Sequence, residues 1–142
     1  MFAERPFPES EYAVRRSRLA ALMEARGLDA VFFAPSSDFE YLTGIERDLP
    51  SFGQVSYAHG WVAGAFFVPN REPVFVLPRM VVAFHLFDRP PEGSIVVKEE
   101  DDGAALFADA VARSAASAAW ASERARGAKL SCTFGKLCLM RS

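Results

Sequence analysis

The sequence predicts an α/β fold, a mixed sheet flanked by helices, on three observations. A helix, a short apolar strand and a second short helix follow one another up to Gly44. Two apolar segments, residues 65–68 and 74–77, flank a polar turn of hairpin length, and a strand-like segment at 94–98 leads into a long alanine-rich stretch. The hairpin supplies antiparallel pairing and the helical crossovers supply parallel pairing.

The first helix is expected over residues 11–26. Ser10 is placed to cap it, Glu9 and Glu11 suit the positive end of its dipole, and Leu19, Leu22 and Met23 form an apolar stripe at i, i+3 and i+4. Gly27 stops it by taking the left-handed conformation after Arg26, a cation at the negative end. Arg15, Arg16 and Arg18 read as a solvated helix face. Residues 30–34, Ala-Val-Phe-Phe-Ala, are too short an apolar run for a helix of normal length and read as a strand buried on both faces. Pro35, Ser36, Ser37 and Asp38 open the next helix, which turns Phe39, Leu42 and Tyr41 inward until Gly44 closes it.

The string RLAALMEARGLDAVFFAPSSDFEYLTGI resembles the opening of the creatinase, prolidase and aminopeptidase P family. Gly27, Leu28, Asp29 and Ala30, then Tyr41, Leu42, Thr43, Gly44 and Ile45, stand where that pattern wants them. The resemblance implies a ribonuclease H-like, non-catalytic N-terminal domain. It also implies a separate C-terminal "pita-bread" peptidase domain that holds two divalent metal ions through two Asp, one His and two Glu, and a possible homodimer.

Beyond Gly44, residues 45–64 are rich in Gly, Pro and aromatic side chains and lack periodicity. The two hairpin strands follow, the second ending in Leu77-Pro78 as in the family, because proline cannot donate to a ladder. A short helix over 79–87 would carry His85 and point Val82, Leu86 and Phe87 inward. After the strand at 94–98, Glu99, Glu100, Asp101 and Asp102 form an acidic run at the start of a helix expected over 104–123, with Leu106, Phe107, Ala110, Val111 and Ser114 on one face. Helix-dipole placement explains this run better than a cation site. Residues 1–127 read as the domain, and 128–142 as a last strand near 129–134, with Cys132 as a small core residue, plus an apolar tail at a linker or altered end.

Composition narrows the function. The chain is 51% hydrophobic with thirteen Phe among 142 residues, which sets it apart from disordered sequences. A net charge of -2 argues against a nucleic-acid partner, and no apolar run approaches the roughly 20 residues that span a bilayer. Two cysteines and no signal peptide point to reduced thiols and a cytoplasmic setting. Cys132 and Cys138 have no zinc-finger partners, and the loop after the first strand lacks the glycines of a phosphate cradle. No serine-nucleophile elbow occurs.

No catalytic or metal residue is therefore assigned, and no cofactor is expected in this chain. By the resemblance, the two metal ions belong to a peptidase domain absent from this sequence. The chain reads as the N-terminal domain of a metal-dependent Xaa-Pro dipeptidase or aminopeptidase, or of a creatinase-like hydrolase, inactive alone. Arg47, Asp48, His59 and Trp61 are the candidates for the mouth of an active site: a guanidinium or imidazole would hold a substrate carboxylate and an indole would pack on a proline ring. Solvated Arg47 and core-packed Trp61 are the plainer reading of the same residues. The alternative function is a free-standing α/β domain that binds a small ligand or a protein partner.

Overall fold

The computed structural model describes residues 5–47, 60–116, 129–133 and 137–141, with side chains described as far as Ser114. Helix α1 (Glu9–Ala25), strand β1 (Ala30–Phe33) and helix α2 (Ser37–Thr43) come first. A 3-10 turn (Gly60–Val62) precedes β2 (Gly64–Phe67), β3 (Val74–Pro78) and helix α3 (Arg79–His85). Strand β4 (Ile95–Val97), helix α4 (Gly103–Ala116), β5 (Lys129–Thr133) and β6 (Leu137–Arg141) complete the order. The strands form one mixed sheet in the order β4-β3-β2-β1-β6-β5. β3 and β4 pair in parallel across α3, and the other neighbours are antiparallel.

Period-two alternation divides the sheet into two buried faces. Val31 and Phe33, Ala65 and Phe67, and Phe75 and Leu77 point to the face covered by α1, α2 and α3, where they meet Leu19, Phe39, Leu42 and Val81. Phe32, Phe66, Val76, Ile95 and Val97 point the other way, against Leu106, Phe107, Ala110 and Val111 of α4. Burial on both sides is why these strands read as continuous apolar runs.

The helix ends follow local chemistry. At the end of α1 the Leu28 N–H donates to the Met23 carbonyl at 2.9 Å and the Gly27 N–H to Glu24 at 3.1 Å, with Gly27 at φ +62°. These are the paired bonds of a Schellman ending, and Met23 and Leu28 pack together beneath it. The Ser36 hydroxyl caps α2 by accepting from the Phe39 N–H. In the acidic run, the Asp101 carboxylate accepts from the Lys98 N–H at 2.8 Å and that of Asp102 from the Ala104 N–H at 2.9 Å, so two of its four residues serve the turn and the cap of α4.

Several expectations are corrected. Helix α1 begins at Glu9 rather than after Ser10, with Pro8 in the cap position; the Pro8 carbonyl takes the Glu11 N–H and no side chain caps. Leu22 is 56% exposed, because the buried stripe runs through Tyr12, Arg15, Leu19 and Met23 and is centred about 65° around the helix from it. Tyr41 and Phe87 are also exposed: α2 turns Phe39 and Leu42 inward as expected but leaves Tyr41 out, and α3 ends at His85 before Phe87 adopts φ +49°. Residues 137–141, expected to belong to an apolar tail, form β6 between β1 and β5. The expected helix beyond residue 116, and the side chain of Cys132, lie outside what is described.

Candidate functional site

The most elaborate polar arrangement among the described residues lies where α1 crosses the end of α2. Arg15 sits on the buried stripe of α1 and is only 9% exposed. Its guanidinium donates to the Tyr41 carbonyl and to the Glu11 carboxylate, each at 3.1 Å. Three rings surround it, with centroids 4.4 Å (Tyr41), 4.5 Å (Phe7) and 5.1 Å (Tyr12) away. Beside it Arg16 donates to the Leu42 carbonyl at 3.5 Å and pairs with Glu9 at 2.6 Å. Two cations thus hold the carbonyl end of α2, where the helix dipole is negative and carbonyls lack intrahelical partners.

The Tyr-Leu-Thr-Gly segment completes this ending. Leu42 enters the core, and the buried Thr43 hydroxyl donates to the Phe39 carbonyl at 2.7 Å while accepting from the Ile45 N–H at 3.1 Å. Gly44 takes φ +73° directly against Tyr12, where a Cβ would fall 2.6 Å from the ring. The segment is therefore a helix terminator fitted to α1, with each residue after Tyr41 given a packing or capping task.

A groove of about 380 Å³ opens over this junction, lined by Phe7, Tyr12, Arg15, Glu40, Tyr41 and Arg47 among others. Arg47 lies at its rim, 3.9 Å from the Glu40 carboxylate, and donates to the Ser37 hydroxyl. Half-exposed aromatic faces beside guanidinium and carboxylate groups give the groove the means to hold a short polar or peptide segment. Trp61 lies elsewhere. It is 55% exposed and lies tilted against Phe107, ring centroids 5.5 Å apart, with Phe107 itself in edge contact with Phe32 and Phe66. Arg47 belongs to the α1–α2 side of the sheet and Trp61 to the α4 side, so the structure does not bring them together. Asp48 and His59 lie outside the described residues.

Arg15 and Arg16 were expected to be solvated, and the structure corrects this: both are largely buried, while Arg18 remains exposed. The signal that could have found Arg15 was the stripe itself, since Tyr12, Arg15, Leu19 and Met23 recur at i, i+3, i+7 and i+11.

Among the described residues, no three His, Cys, Asp or Glu side chains converge as a metal donor set, and no helix is long and apolar enough to cross a membrane. The described residues do not supply the ligands of a two-metal centre. Comparison with curated protein sequences returns no match. The creatinase/prolidase N-terminal domain matches residues 15–124, a span that begins at Arg15 and takes in both sheet faces and α4. The chain belongs to the creatinase/prolidase N-terminal domain family, a non-catalytic domain of creatinase- and prolidase-like proteins.

Proposed function

We propose that this domain is the accessory half of a cytoplasmic, metal-dependent hydrolase of Xaa-Pro peptides, a dipeptidase or aminopeptidase, or of a creatinase-like amide hydrolase. In this reading it packs on a C-terminal peptidase domain that carries two divalent ions, contributes to a homodimer, and lends its α1–α2 groove to the mouth of an active site. One observation carries the reading beyond family membership. The buried Arg15, Thr43 and Ser114 all donate to main-chain carbonyls within the domain, whereas Arg47 stands partly exposed at the rim of a groove, beside a carboxylate it can exchange for another.

Arg47 would then receive a substrate carboxylate as a charge-assisted pair, and Trp61 would offer its open face to a proline ring. Their placement on opposite faces means that only one of them reaches a given mouth. The first test is hydrolysis of Xaa-Pro dipeptides by the purified chain with added manganese, cobalt or zinc. No turnover alone, and turnover in the full-length parent, is the expected result; metal-dependent turnover by the chain itself would overturn the accessory role. In the parent, Arg47→Ala is expected to lower kcat/KM by about tenfold or more, chiefly through KM. Unchanged kinetics would remove Arg47 from the mouth.

A further inference from the structure

Cys132 and Cys138 are the chain's two cysteines, and the sheet sets them opposite one another. In the antiparallel pair β5–β6 the register places Ser131 against Leu139, Cys132 against Cys138 and Thr133 against Leu137. Directly opposed positions of an antiparallel pair have α-carbons about 4.5–5.5 Å apart, inside the roughly 4.4–6.8 Å that a disulfide spans. A slip of one residue would set Cys132 against Leu137 or Leu139 instead, so the pairing depends on this register. β5 is the outer strand of the sheet and β6 lies between it and β1, which puts the two positions near an edge.

We propose that Cys132 and Cys138 form a reversible redox pair that closes to an intrachain disulfide across β5 and β6 when a small-molecule disulfide oxidises the protein. One cysteine thiolate attacks a sulfur of glutathione disulfide, forming a mixed disulfide and releasing one glutathione thiolate. The second cysteine thiolate then attacks the protein-side sulfur, forming the Cys132–Cys138 bond and releasing the second glutathione. The protein loses two protons and two electrons, and the oxidant becomes two thiols. Reduction by excess glutathione reverses both steps, so a reducing compartment holds the pair as thiols and an oxidising episode closes it.

The test equilibrates the full chain in glutathione redox buffers, folded and in urea, with intact mass and peptide mapping after acid quench. The expected product is a chain lighter by two hydrogens, with one cross-link joining the peptides of Cys132 and Cys138. Its equilibrium constant against glutathione should exceed that of the urea-unfolded chain by at least about tenfold, which for a two-electron couple is about 30 mV. Cys132→Ser and Cys138→Ser should each stop at the mixed disulfide. Equal constants in the folded and unfolded chain, a lasting mixed disulfide in the parent, or links only between chains would overturn the proposal.

Discussion

On one face of the sheet, Phe39, Leu42 and Val81 pack beneath helices whose ends are fastened by polar bonds: two arginines on the last carbonyls of α2, a threonine across its final turn and a glycine fitted against Tyr12. On the other face, Ala110 is fully buried at the centre of α4, and the contacts above Phe32, Phe66 and Val76 are almost wholly apolar. Fixed polar geometry governs the first face and volume governs the second. Orientation of the chain leaving α2 matters if the groove there works as a mouth, and hydrogen bonds set orientation more sharply than apolar contacts do.

The largest break in this contrast is expected at Gly44. Gly44→Ala combines left-handed strain with a Cβ 2.6 Å from the Tyr12 ring, and should cost about 2–4 kcal/mol in denaturant unfolding. Gly27 is the matched control, at φ +62° with nothing within 4 Å of the position a Cβ would take, so Gly27→Ala should show only the backbone part, about 1–2 kcal/mol. Equal losses at the two glycines would mean that Tyr12 gives way freely and that the first face is less rigid than described.

On the opposite face, Ala110→Phe should cost about 1–3 kcal/mol by overpacking between α4 and the sheet. A thermal melt matching the parent would show that α4 can lift, and that volume does not govern this face. Arg15→Met keeps most of the aliphatic stem among the three rings and removes the bonds to Tyr41 and Glu11, for an expected loss of about 1–3 kcal/mol. Arg18→Met on the exposed side of the same helix should stay within about 0.5 kcal/mol. Similar losses for the two arginines would leave the capping role without support. The smallest loss expected of a hydrogen-bonding side chain here is at the start of α4, where Asp102→Ala removes one cap bond and about 1 kcal/mol.

Much of the candidate site was hidden from the sequence because it is made between elements. Arg15 and the Tyr41 carbonyl are 26 residues apart, and an arginine on a helix looks the same whether its neighbour is water or another helix end. The four mouth candidates share one irregular stretch of sequence, and proximity along the chain is a poor guide there. Arg47 lies on the α2 side of the sheet and Trp61 on the α4 side.

By itself the sequence determined the order of elements as far as α4, where α1 and α2 stop, and that β1 is a strand buried on both faces. Those properties rest on local physics: the backbone freedom of Gly27 and Gly44, the missing donor of Pro78, and apolar runs that offer no solvent side. Only the tertiary structure decided that Arg15 and Arg16 cap a neighbouring helix, that Tyr41 and Leu22 face outward, and that β6 enters between β1 and β5. A short apolar segment carries no mark of which strand it will pair with. Likewise a helix carries a stripe but not the identity of what covers it, and both are settled when distant segments compete for the same buried surface.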